Sequence, residues 1–141
     1  MEEKSMAEHQ KTSEYARETA KKPTILIVED DDPSRFFIKI VVRTLSKSII
    51  EAKTGVEAVE LCRKYDDIDL VLMDIQMPDM DGYEATRRIR SFNKEIIIIA
   101  QTAFGLSGDR EKALEAGCND YIPKPINNEA LVALIKSYYP L

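Results

Sequence analysis

Five short apolar runs, each followed by a stretch of helical periodicity, constrain this chain more than any other feature. Ile25-Leu26-Ile27-Val28 is a continuous apolar run ending in acids, the pattern of a strand buried on both faces. Asp32-Pro33 then reads as an N-cap with proline in the first helical turn. Phe37, Ile38, Val41, Val42 and Leu45 follow at helical spacing as the expected core face. Ser48 to Ala52 reads as a second, weaker strand, and Gly55 precedes a helix carrying Val56, Val59, Leu61 and Cys62. Ile68 to Met73 is a third strand with Asp74 at its carboxyl end. Pro78, Asp81 and Gly82 mark a loop before a helix from Tyr83 to Phe92. Glu95 to Ala100, with its four consecutive isoleucines, is expected to be a central buried strand. Gly105 and Gly108 open a helix that runs to about Ala116, with Gly117 as its C-terminal cap. Asp120 to Ile122 is the fifth strand, and Asn127 to Tyr139 is the closing helix.

Such alternation implies right-handed crossovers and a parallel sheet covered on both faces. Residues 1–22 stand apart, being rich in charged and small polar residues with no apolar stripe long enough to bury. They read as a solvated linker or a frayed helix that ends at Pro23, and residues 23–141 as the folded domain. At 141 residues the chain is expected to hold one well-buried domain.

A net charge of −5 argues against a dedicated nucleic-acid surface. No apolar run approaches the ~20 residues of a membrane span, and the first residues lack the order of a signal peptide. Cys62 and Cys118 lie far apart, without the spacing of a zinc or dithiol site. They read as small thiols in a reducing cytosol, so a cytoplasmic location is expected, including the cytoplasmic end of a membrane-bound kinase.

In sheets of this kind, functional groups gather at the carboxyl ends of the strands. Strand one ends in Glu29-Asp30-Asp31, strand three in Asp74, and strand four in Gln101-Thr102-Ala103. Strand five leads to Lys124-Pro125. Carboxylates from strands one and three converge if those strands are neighbours, and a hard cation such as Mg²⁺ relieves their repulsion. A carboxylate beside a metal, a hydroxyl and an ammonium group makes a phosphoryl-transfer site, with Asp74 as nucleophile and Thr102 and Lys124 contacting the phosphoryl oxygens. Singly, each residue has a duller reading as a solvated acid, a turn hydroxyl or a surface lysine. Their arrival together at successive strand ends favours the site.

Those segments, with the run Leu72-Met73-Asp74-Ile75-Gln76-Met77-Pro78-Asp79-Met80-Asp81-Gly82-Tyr83-Glu84-Ala85-Thr86-Arg87 at the centre, resemble the receiver domains of two-component response regulators. The resemblance spans roughly residues 24–139. It implies a doubly wound, flavodoxin-like α/β fold, with five parallel strands in the order 2-1-3-4-5 and five helices. It also implies that Asp74 accepts a phosphoryl group from a phosphohistidine and later loses it by self-dephosphorylation. Mg²⁺ would be held by Asp30, Asp74 and the backbone carbonyl of Gln76, with Glu29 acting through water. Lys124-Pro125 would be cis. Thr102 and the aromatic Tyr121 would form the switch, acting on a face built from the fourth helix, fifth strand and fifth helix. The implied partners are a histidine kinase or a histidine phosphotransfer domain, with a second copy of the chain as a further candidate.

Finer wording, including Gly108-Asp109-Arg110-Glu111-Lys112 and Ala116-Gly117-Cys118-Asn119-Asp120-Tyr121-Ile122-Pro123-Lys124-Pro125-Ile126, resembles receivers of hybrid sensor histidine kinases. Residues 1–22 are then expected to tether the domain to a kinase, and no DNA-binding output domain is expected after the last helix. A free-standing receiver is the alternative, followed by a docking module that is not phosphorylated. Two other functions fit less well. A phosphoester hydrolase with an aspartyl nucleophile is expected to carry D-x-D-x-[TV] directly after strand one, and a flavodoxin-type cofactor module a Gly/Ser/Thr-rich phosphate loop, where this chain has Glu29-Asp30-Asp31-Asp32-Pro33.

Four positions depart from the family pattern or bear on its kinetics. Glu29 stands where aspartate is common. Gln101 replaces an apolar strand residue and is expected to be more exposed than its neighbours. Gln76 and Phe104 sit at loop positions that the resemblance links to phosphoryl lifetime. Phe36 and Ile40, off the expected core face, are candidates for docking the helix of a histidine phosphodonor. His9 lies in the polar tail and is not expected to be catalytic.

Overall fold

The structure is a computed structural model that describes residues 22–103 and 108–140. The tail with His9, the loop with Phe104 and Gly105, and Leu141 lie outside the described residues. Strands β1 (Thr24–Val28), β2 (Ser48–Ala52), β3 (Leu70–Asp74), β4 (Ile97–Thr102) and β5 (Asp120–Pro123) form one parallel sheet in the order β2-β1-β3-β4-β5. Between and after them run α1 (Asp32–Val42), α2 (Gly55–Lys64), α3 (Gly82–Arg90), α4 (Asp109–Ala116) and α5 (Asn128–Tyr138), with a 3₁₀ turn at Arg43–Leu45.

The central strands are buried on both sides, which explains why β1 and β3 read as unbroken apolar runs. One core packs under α2, α3 and α4 and includes Leu26, Val71, Met73, Ile98 and Ala100. The other packs under α1 and α5 and includes Ile25, Ile27, Leu72, Ile99, Ile122 and Leu131. Adjacent residues of a strand therefore serve opposite cores, as strand alternation requires.

Two local expectations are corrected. The N-cap of α1 is Asp31, not Asp32: its carboxylate accepts the Ser34 N–H at 3.0 Å from an extended backbone. Asp32 lies in the first turn instead, where it pairs with Arg35. The buried face of α1 is also rotated, to Arg35, Ile38, Val42 and the following Leu45, leaving Phe37 41% exposed. The reason is that Arg35 turns its guanidinium inward to the Glu29 carbonyl, at 2.9 Å. Helix ends elsewhere follow known capping chemistry. Thr54, Asp81 and Asn127 cap α2, α3 and α5, and Gly117 closes α4 at φ 112°.

Candidate active site

The order of the strands brings the ends of β1, β3, β4 and β5 together at one edge. Glu29 follows β1, and its N–H is held by the Ala52 carbonyl of β2 at 3.0 Å. Asp74 ends β3 as the register partner of Gln101 on β4. Carboxylate oxygens of Glu29, Asp30 and Asp74 all lie within 4.8 Å of one another. Glu29 and Asp74 are buried, while Asp30 is exposed.

Lys124 reaches across from the loop after β5. Its Nζ donates to Glu29 Oε1 at 2.8 Å and lies 3.1 Å from Asp74 Oδ1. Burial alone would lower the pKa of this ammonium, but hydrogen bonds and charges of Glu29 and Asp74 outweigh it and hold it above its ordinary value. The Lys124 N–H donates to the Thr102 carbonyl at 2.7 Å, and Lys124-Pro125 is a cis peptide. Asp74 Oδ1 also accepts the Gln76 N–H at 3.2 Å, so the loop after β3 is tied to its own acid.

Three carboxylates facing one ammonium leave an uncompensated charge of about two, from oxygen donors partly open to water. That donor set fits a hard divalent cation. At the end of β4, the buried Thr102 Oγ1 has no hydrogen-bond partner among the described residues. A hydroxyl so placed is available to an anionic group arriving at the edge. Tyr121 is half-buried against the α2–α4 core. The aromatic ring therefore sits one strand over from Thr102, on β5.

Gln101 corrects an expectation. It is fully buried, not exposed, because alternation along β4 turns its side chain into the sheet face opposite Thr102. Two positions carry weight that sequence reasoning did not assign. Arg35 hydrogen-bonds the Glu29 carbonyl, Asp32 and Glu51 on β2, holding the acidic loop to the edge strand. Its spacing of three from Asp32 was a visible signal. Gly82 packs so closely that a Cβ there would run into the carbonyl oxygen of Asp74. On the outer side of α1, Phe36 is 64% and Ile40 51% exposed. Beside them a cavity of about 430 Å³, lined by Pro33, Phe37, Ile38, Lys124, Pro125 and Ile126, opens next to the acidic edge.

Residues 25–136 match the family model described as the response regulator receiver domain. The polar-differentiation response regulator DivK of Brucella ovis is 35% identical over 117 residues, covering 82% of this chain and 94% of DivK. Among solved structures, one match is to the co-crystal structure of the Saccharomyces cerevisiae histidine phosphotransfer signaling protein Ypd1 and the receiver domain of its downstream response regulator Ssk1. It has a TM-score of 0.80 and 34% identity, and covers 86% of this chain and 92% of the matched one. Another is the receiver domain of the sensor histidine kinase PA1611 from Pseudomonas aeruginosa PAO1, with a magnesium ion coordinated in its active site cleft. That match has a TM-score of 0.75 and 36% identity, covering 84% of this chain and 98% of the other.

Proposed function

The chain belongs to the response regulator receiver family, and from that premise we propose that Asp74 is its phosphoacceptor in a histidine-to-aspartate relay. The observation that carries this reading is the contact of Asp74 with Lys124 at an edge where the buried Thr102 hydroxyl, at the end of the next strand, has no partner among the described residues. A carboxylate oxygen of Asp74 attacks the phosphorus of a phosphohistidine. The P–N bond breaks, its electron pair returns to the imidazole nitrogen, and an acyl phosphate remains on Asp74. Lys124 contributes a point charge to the equatorial oxygens, and Thr102 Oγ–H donates to one of them.

Glu29, Asp30, Asp74 and the Gln76 carbonyl are the groups that would hold Mg²⁺, which when bound neutralises charge on the transferring group. Water attack on the acyl phosphate returns Asp74 and releases inorganic phosphate, with Gln76 and Phe104 as the loop residues governing its rate. Tyr121 is the residue through which Thr102 acts on the face of α4, β5 and α5.

The partner is a helix bearing the phosphohistidine, docked on Phe36 and Ile40 and the cavity beside them. Support comes from their exposure next to the site, and from the family match to a receiver solved with a histidine phosphotransfer protein. Similarity to the PA1611 receiver supports an origin in a hybrid sensor histidine kinase, with residues 1–22 as tether. The coverage of DivK supports the free-standing alternative. The size of the natural product on a blot with antibody to this domain separates the two.

The acceptor chemistry is tested by intact mass after incubation with acetyl phosphate and Mg²⁺. One added phosphoryl group is expected on wild type, and none on Asp74→Asn or without metal. An adduct that survives Asp74→Asn assigns the wrong nucleophile. Phe36→Ala is expected to slow transfer from a histidine donor while leaving acetyl phosphate labelling intact; equal loss of both would remove the docking role.

A further inference from the structure

Gln101 is fully buried, and neither its Oε1 nor its Nε2 has a hydrogen-bond partner among the described residues. An amide offers two donors and an acceptor oxygen, and burying them unmet is worse than burying an apolar side chain of the same shape. Packing gives no reason for a glutamine here. Its place in the sheet does.

Along β4, Ile98 and Ala100 face the α2–α4 core and Ile99 faces the α1–α5 core. Alternation therefore turns Gln101 to the α1–α5 side. Its register partners are Asp74 on β3 and Ile122 on β5. Leu72 and Ile122 face the same side, and Asp74 and Lys124 come two residues after them, so all three polar groups share that face of the edge. Lys124 Nζ carries three N–H donors, of which two are spent on Glu29 and Asp74. The third has no acceptor among the described residues.

We infer that Gln101 is a positioning residue for the phosphorylated state, an inference that rests on Asp74 being the phosphoacceptor. Phosphoryl transfer to one oxygen of Asp74 leaves the other as an uncharged carbonyl oxygen and draws Lys124 toward the new phosphoryl group. Gln101 Nε2 then donates to that carbonyl oxygen, and Oε1 accepts the free N–H of Lys124. Hydrogen bonds made in one state and missing in the other shift the balance toward the state that makes them. The buried amide thus favours the phosphorylated form by penalising the resting one.

The test uses the full chain with Mg²⁺ and beryllofluoride, a phosphoryl mimic, and reads the thermal midpoint with and without it. Gln101→Met and Gln101→Leu are compared with wild type, so that failure of one to fold does not end the experiment. In the resting state each variant is expected to melt higher than wild type, by about 2–5 °C. The beryllofluoride-induced rise is expected to shrink by half or more, with affinity for the mimic weaker by about tenfold. A variant with the wild-type response to beryllofluoride overturns the inference and makes the amide a packing defect. A resting variant that melts lower than wild type also overturns it, because the amide would already be satisfied. If wild type itself does not respond to beryllofluoride, the phosphoacceptor reading falls and the inference falls with it.

Discussion

Leu72 and Asp74 lie two residues apart on β3, on the same side of the sheet, and both are buried. Leu72 lies between its register partners Ile27 and Ile99 within the α1–α5 core. Asp74 is surrounded by two further carboxylates, a lysine and the ends of its two neighbouring strands, β1 and β4. The middle of the sheet satisfies its backbone through the ladder and its side chains through close packing. At the carboxyl edge charge is crowded, and three buried polar atoms, on Gln101 and Thr102, have no partner among the described residues. The contrast teaches that the site is a place of unmet demands held in position by a core that has none. Such edges respond strongly to a small charged ligand, because nearly every group there has something to gain from one.

The contrast breaks most visibly in the core. Leu72→Ala is expected to lose about 2–5 kcal/mol in urea unfolding, from lost contacts and a residual cavity. A loss below about 1 kcal/mol would mean that the middle of the sheet is not closely packed around this residue. At the edge, Lys124→Met in metal-free buffer is expected to lose about 1–3 kcal/mol, because Glu29 and Asp74 are left facing each other without their shared cation. Adding Asp74→Asn to that variant should restore most of the loss, since the two changes act on one network. If the double variant is no more stable than the single one, charge crowding does not define this edge.

The smallest effect concerns pH and the edge strand. Burial would raise the Glu51 pKa, but Lys39 and Arg35 outweigh it and hold it below the ordinary 4.5. A carboxylate lowered on folding adds stability that is fully present above its unfolded value and is lost as pH falls through the folded one. The difference in thermal midpoint between wild type and Glu51→Gln should therefore close between about pH 5 and pH 3, and narrow with added salt. A difference that persists at low pH would assign the effect to packing of the side chain.

Much of this was legible in the sequence because β1, β3 and β4 are buried on both faces and announce themselves as apolar runs ending at Glu29, Asp74 and Thr102. The boundaries of α1 were less legible. Asp31 and Asp32 are both good caps, and which one serves depends on the reach of a carboxylate to Ser34. The face of α1 was misread because Phe37 is more apolar than Arg35. Yet Arg35 is the residue turned inward, since the Glu29 carbonyl and Glu51 offer it partners that no helical pattern displays.

The order of residue types along the chain therefore determined the fold class, the edge at which chemistry gathers and the identities of the groups that meet there. Tertiary structure alone decided how those groups meet. Lys124 lies 95 positions from Glu29 in the chain and 2.8 Å from it in space. The arrangement turns on strand order and on which side of the sheet each residue of a strand faces. Gln101 shows the limit of composition most clearly. A polar residue at a strand end reads as exposed, but Gln101 is fully buried. Burial is set by what the rest of the chain packs against a residue, which its own chemistry does not specify.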